Sequence, residues 1–302
     1  MLKRKALRKI IITLFVFFVV LTIYMIPSNN KNDKVTYHYI DTKDISVYLL
    51  NSYNQLTKVD FKINNDDLIN TVKSIINKLT ISIDATIPNG FVQVIPNDVK
   101  LNSVKVENNL VSLDFSEEFL EIPEDNLEIV VESISYSLFN IKEIDKVSIY
   151  VLGENISNKY PSIPNVIDKK FGINKRVEIK NLNNISKVTI FYIDNIDDNN
   201  YYVPVTKYVN DKRDKIKIII DELSSSYIYE SNLISLLNKN IKLLDYEIKN
   251  DAVILDFSNS IFLEQDDMLE EIVYSVFANY DVNEVVFNLS DRQIIRKGAT
   301  PF

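Results

Sequence analysis

The stretch Leu110-Val111-Ser112-Leu113-Asp114-Phe115-Ser116 recurs as Ala252-Val253-Ile254-Leu255-Asp256-Phe257-Ser258. In each copy Val, Leu and Phe alternate with smaller or polar residues, the period of a strand with one buried face. An Asx- and Glu-rich turn precedes each copy, Glu107-Asn108-Asn109 in one and Lys249-Asn250-Asp251 in the other. A short apolar run precedes each turn, so both stretches read as β-hairpins. A hairpin that occurs twice implies two copies of one domain.

Outward from the hairpins, the order of elements repeats. The first copy opens with strands at Ser46–Leu50 and Val59–Ile63. Asp66 or Asp67 caps a helix whose apolar residues, Leu68, Ile69, Val72, Ile75, Ile76 and Leu79, fit one helical face. The hairpin Leu101–Val106 and Leu110–Phe115 follows, then a helix from Glu124 to Phe139 and a closing strand, Val147–Val151, ended by Gly153. The second copy runs from the strand Val188–Ile193 through a helix, Asp211–Leu223, to the hairpin Ile241–Ile248 and Ala252–Phe257. The helix Met268–Phe277 and the strand Val285–Leu289 complete it. Ser137-Leu138-Phe139 matches Ser275-Val276-Phe277.

The expected fold class is α+β, with two repeated small domains, each an antiparallel or mixed sheet with two helices on one face. The expected boundaries are a basic tail and transmembrane anchor at 1–27, a linker at 28–44, the first domain at 45–155, a linker that partly packs on it at 156–186, the second domain at 187–291 and a tail at 292–302. Each domain is expected to fold independently.

Residues 1–9 carry five basic side chains and no acid. The run Ile10–Ile26, polar only at Thr13, Thr22 and the Tyr24 hydroxyl, is long enough to span a bilayer with some tilt. No small-x-small cleavage site follows, which favours an uncleaved single-span anchor over a signal peptide. The positive-inside rule then puts the N-terminus in the cytoplasm and the bulk of the chain outside it. The chain carries −8 overall, and that sum includes the five N-terminal positives, so the remainder is more acidic still. Such a surface repels phosphate backbones, and nucleic acid is not an expected partner. Cysteine is absent, which excludes disulfides, thiolate zinc sites and cysteine nucleophiles.

The ordered set of an N-terminal anchor, an amphipathic helix, Ile95-Pro96, a strand ending Leu-Asp-Phe-Ser, a helix with Tyr136-Ser137-Leu138 and a Val-rich strand ending in Gly153 resembles the GerMN domain. Two such domains in tandem resemble the GerM-like family of sporulation and spore germination proteins. The resemblance implies a ring-building-type module that assists assembly of a mother-cell-to-forespore channel, with envelope or channel proteins of sporulation as partners and no catalytic activity. The best-known members are lipoproteins. This chain has no cysteine to lipidate, so a transmembrane helix would replace the lipid. The second copy has Ser290-Asp291-Arg292 where the first has Leu152-Gly153-Glu154.

No catalytic, cofactor-binding or metal-binding residue is expected. Asp114-Ser116 and Asp256-Ser258 lack a nearby base, since the one histidine, His38, lies in the first linker. The serines read instead as caps of the helical turns that follow. Glu117-Glu118 are adjacent, unlike the separated pair of a glycosidase, and the second copy has Asn259-Ser260. Asp194–Asn200 lacks the glycine and glutamate of an EF-hand and reads as a solvated turn. The candidate interface is an apolar cluster on the open face of the second sheet: Ile254 and Val286, joined by Phe191 and Ile193 from the opening strand. Either a partner, the sister domain or the C-terminal tail covers it. The alternative function is an extracytoplasmic binding module for a wall glycan or peptide.

Overall fold

The computed structural model describes residues 4–25, 42–64, 67–83, 85–225, 232–237, 239–258, 266–289 and 292–298. His38, Asp66, Asn259, Ser260, Ser290 and Asp291 lie outside them, as does most of the linker expected at 28–44. The N-terminal unit, residues 1–40, contains helix α1 (Arg4–Met25). Its first residues are basic, so the apolar part within the helix is Ile10–Met25, about 24 Å at ~1.5 Å per residue. Among the described residues, no helix is long and apolar enough to cross a membrane.

Residues 41–302 form the second compact unit. It opens with a hairpin, β1 (Thr42–Asn51) and β2 (Leu56–Asn64). Helix α2 (Leu68–Leu79) is capped by Asp67, whose carboxylate accepts the Asn70 N–H at 2.8 Å. The short β3 (Phe91–Val92) pairs only with the end of β1. The recurring stretch then forms β4 (Leu101–Glu107) and β5 (Leu110–Phe115), joined by Asn108 and Asn109 at positive φ. Asn tolerates that conformation, and two such residues make the tight turn that suits twisted strands. Helix α3 (Glu124–Leu138) leads to β6 (Lys146–Val151), which lies parallel to β5, and to β7 (Glu154–Asn155).

The second repeat follows β8 (Arg176–Glu178). It comprises β9 (Ile185–Ile196), β10 (Asn199–Asn210), α4 (Lys215–Ser224), β11 (Leu243–Lys249), β12 (Ala252–Phe257), α5 (Asp266–Asn279), β13 (Glu284–Leu289) and β14 (Arg292–Gly298). Asn250 and Asp251 turn its hairpin as Asn108 and Asn109 turn the first. Residues 292–298 of the expected tail thus form a strand antiparallel to β13.

Each repeat holds two sheets where one was expected. The orders are β2-β1-β3 with β4-β5-β6-β7, and β8-β10-β9 with β11-β12-β13-β14. In the first repeat α2 and α3 are not on one outer face, because they touch β1 in one sheet and β4 or β6 in the other. The reason is that α3 is buried at every position from Val130 to Leu138, which a helix segment reaches only when covered on every side. Its serines let a strand edge approach: Ser133 donates to the Tyr48 carbonyl at 2.6 Å and Ser137 accepts the Tyr48 N–H at 2.9 Å. In the second repeat Ser275 accepts the Phe191 N–H at 2.9 Å. Val111, Leu113 and Phe115 are fully buried, as are Val253 and Leu255, so the inward faces are those the alternation selects. Burial of each such side chain contributes about 1.5–3 kcal/mol.

The segment expected to be a linker at 156–186 packs on the first repeat through its first half, 156–173, and is not buried from 174 onward. Ile156, Tyr160, Ile163, Ile167 and Ile173 are buried in the first repeat's hydrophobic cluster. Ile167 bridges to Val147, and Ser148 donates to the Asn165 carbonyl at 2.7 Å, so this segment covers β6. Ser116 stands at the N-cap of the helical turn Glu117–Glu121 but its side chain makes no cap hydrogen bond, and the turn expected after Ser258 lies outside the described residues. Ser116 and Ser258 accept the Lys100 and Lys242 N–H groups at 2.9 and 3.1 Å, fastening the hairpin base.

Candidate functional site at the domain junction

The two repeats meet where β10 lies against β2. Asn174 joins these strands. Its side chain accepts the Leu56 N–H at 2.8 Å and donates to the Leu56 and Pro204 carbonyls at 2.8 and 2.7 Å. Its backbone sits at φ 47°, a conformation asparagine tolerates better than most residues. Its own N–H donates to Glu132 at 2.8 Å. Beside it Lys175 pairs with Glu132 at 3.3 Å and also contacts Glu128. At the hairpin ends, Asn51 donates to Asp194 at 2.8 Å in a buried pair. Phe91 and Tyr201 meet edge to face at 4.7 Å, and a Cβ on Gly90 (φ 84°) would come within 2.9 Å of Ile196.

Equivalent helix tyrosines work on opposite sides of the junction. Tyr274 of α5 accepts a hydrogen bond from Lys58 of β2 at 3.1 Å, and the ammonium also lies 4.5 Å from its ring centre. Tyr274 packs on Phe191 and Tyr202 at 5.5 and 4.9 Å. Tyr136 of α3 packs on Tyr48 and Phe139 and donates to the Lys169 carbonyl at 3.0 Å. Phe191 closes an apolar gap with Tyr48, Tyr136 and Phe139.

Burial of Lys58 lowers its pKa, an effect opposed by Asp60 and Glu270. These residues line a groove of about 740 Å³ together with Lys43, Leu68 and Tyr274. A buried lysine among carboxylates in a junction groove has the character of a binding site. Among the described residues no cluster of His, Cys, Asp and Glu could hold a metal ion.

A family model described as Germane, sporulation and spore germination, matches residues 46–157 and again 189–294. The chain belongs to the Germane family. Over 216 residues it is 29% identical to the spore germination protein GerM of Bacillus subtilis (strain 168), which covers 70% of this chain and 58% of that protein. The chain thus spans under two thirds of that relative's length. The solved tandem GerMN domains of the sporulation protein GerM from Bacillus subtilis match with a TM-score of 0.74 at 25% identity, over 83% of this chain and 92% of that one.

The four candidate interface residues do not share one surface of the second Germane repeat. Ile254 and Val286 are paired neighbours on β12 and β13, on the face away from the core. Glu247 pairs with Ile254 on one side, so a charged residue borders the apolar pair there. Val286 is 5% exposed and Ile254 is half-buried. Phe191 and Ile193 belong to the other sheet and are 1% and 0% exposed. Phe191 is at the junction between Germane repeats, and Ile193 bridges to Ile234. The turn read at Asp194–Asn200 is the tip of β9 and β10, with Asp197 and Asp198 at positive φ, and Asp194 itself is buried. The junction residues Lys58, Asn174 and Tyr274 escaped the sequence reading. A signal existed for part of it: the spaced isoleucines of 156–173 mark buried chain.

Two results are expected of the groups buried here. The Tyr48 hydroxyl is buried with no hydrogen-bond partner among the described residues. Tyr48→Phe should stabilise the protein by about 1 kcal/mol, read as a raised denaturation midpoint, because an orphaned buried donor costs roughly 1–3 kcal/mol. Burial also raises Glu132 to about 7, against Lys175 and the Asn174 N–H, and raises Glu271 to about 8, against Ser235 and the Leu236 N–H. Both folded values exceed the ordinary 4.5. Their stabilising protonated forms are therefore complete below about pH 4.5 and are lost as pH rises through about 7 and 8. Relative to Glu271→Gln, the wild type should lose on the order of 3 kcal/mol between those limits, measured by urea melts across pH.

Proposed function

We propose that this chain is a non-enzymatic envelope protein of sporulation and spore germination, which assists assembly of a complex between mother cell and forespore through protein–protein contacts. The observation that supports this reading is the stapled junction, where Asn174, Asn51–Asp194 and Lys58–Tyr274 tie the repeats together between two surface grooves. These cross-repeat hydrogen bonds oppose a hinge motion and leave a fixed block with outward strand edges. Edge strand β11 exposes Leu244 and Ile248, 63% and 47%, with Ile248 opposite Val253 and so on the other face of the sheet from Ile254. A sporulation envelope protein would dock at this edge, on the Ile254 face.

The membrane reading belongs to the same proposal. Ile10–Ile26 supplies 17 apolar-run residues, at the short end of the ~17–25 that span a bilayer. A single span there would leave residues 28–302 extracytoplasmic. The test is Ile254→Lys in the full-length chain. Folded, membrane-bound protein with failed sporulation is the expected outcome, and normal sporulation would remove this face from the mechanism. The groove at Lys58 favours a second reading, a binding module for wall glycan or peptide, which co-sedimentation with purified cell wall would reveal.

A further inference from the structure

A second groove, of about 400 Å³, lies at the same place in the second repeat as the Lys58 groove does in the first. The start of β9, the first turn of α4 and the end of α5 form it, and the first repeat contributes the start of β6 and the turn at 168–170. Five lysines line it: Lys146, Lys169, Lys170, Lys187 and Lys215. Only three acids do so, Asp145, Asp168 and Asp281, in a chain whose net charge is −8. Two of these acids have other hydrogen-bonding duties. Asp168 accepts the Lys170 N–H at 2.8 Å, and Asp145 accepts from Asn109 at 2.8 Å. The ion pairs among the described residues use none of Lys146, Lys170, Lys187 and Lys215.

The fold does not require this concentration of charge. The equivalent groove of the first repeat mixes Lys43, Lys58 and Lys142 with four acids, Asp44, Asp60, Glu143 and Glu270. The lysines also work against stability. Lys215 occupies the first position of α4, where the helix dipole disfavours a cation. Lys187 is lowered to about 8 by burial and by the repulsion of Lys175 and Lys215. Lys169 and Lys215 are lowered by burial as well. A bound anion relieves both costs at once. Ammonium groups are compact point charges that suit phosphate, and the volume falls in the range of small-ligand sites.

We propose that this groove binds a phosphate-bearing ligand, either a free phosphate compound or a phosphodiester segment of an anionic polymer. The site is independent of the partner-docking function proposed above. The test is titration calorimetry on the full-length chain, with inorganic pyrophosphate and a glycerol-phosphate trimer as probes and citrate as a carboxylate control. Saturable binding of at least one phosphate probe is expected, tighter than citrate. The tighter of the two probes assigns the source, free compound or polymer. Lys170→Gln combined with Lys215→Gln should weaken binding about tenfold, whereas Lys142→Gln in the other groove should leave it within about twofold. The bound probe should also raise the melting temperature of the wild type and not of the double variant, a readout that does not depend on the two having equal stability. No saturable binding of either phosphate probe, citrate binding as tightly, or unchanged binding by the double variant would overturn the proposal.

Discussion

Replacing Asn174 with alanine should destabilise the protein by about 3 kcal/mol and loosen the two repeats from each other. Three side-chain hydrogen bonds disappear together, two to Leu56 and one to Pro204. The groups left behind are backbone N–H and C=O, and each that stays dry costs roughly 1–3 kcal/mol. Water reaches part of this half-buried site, which limits the total. Alanine also fits φ 47° worse than asparagine does. The check is a pair of measurements, the urea midpoint and limited proteolysis between residues 174 and 185. Stability within about 0.5 kcal/mol of the wild type would show that the staple is replaceable by solvent.

A larger loss is expected from Tyr274→Ala, about 4 kcal/mol by the usual cost of deleting a large buried aromatic side chain. The ring contacts Phe191 and Tyr202 in its own repeat and Lys58 in the other. Removing it opens a cavity and takes from the buried Lys58 both its hydroxyl acceptor and its ring face. Lys58 retains Asp60 at 3.7 Å. Tyr274→Phe separates the contributions, since it keeps the ring and deletes only the hydroxyl. It should cost about 1 kcal/mol. Equal losses in both variants would put the energy in the hydrogen bond rather than in packing.

The elements of local origin were legible in the sequence. The two hairpins announce themselves by alternation and by asparagine and aspartate at positions that need positive φ. Helices α2, α3 and α5 follow from apolar spacing, and α4 is correct apart from its start, where Asp214 caps instead of Asp211. Strand β10 was not legible, because Pro204 in mid-run argues against a paired strand. The structure accommodates it in a specific way. Pro204 stands opposite Phe191, whose N–H points to Ser275 and so away from β10. The proline nitrogen therefore also faces away from β9, and β8 pairs only with residues 207–209, so no ladder donor is missed. The candidate site was less legible. Phe191 packs on Tyr274 of its own repeat and lines an apolar gap with Tyr48, Tyr136 and Phe139 of the sister repeat, away from Ile254 and Val286. Asn174 lies in chain that looked like a linker, and its partners are 118 and 30 residues away. Pairings of such separation follow from tertiary packing, not from local pattern.

The same contacts bear on the expectation that each repeat folds alone. A cut between them would expose Phe191, Tyr48 and Tyr136, and would separate Lys58 from Tyr274 and Asn51 from Asp194. The junction is therefore part of the folding unit, and calorimetry of the compact unit 41–302 tests this most directly. One heat-absorption peak is expected, with the calorimetric enthalpy equal to the van't Hoff enthalpy. Two resolved peaks, or a calorimetric enthalpy about twice the van't Hoff value, would contradict a fixed junction and restore two independent domains.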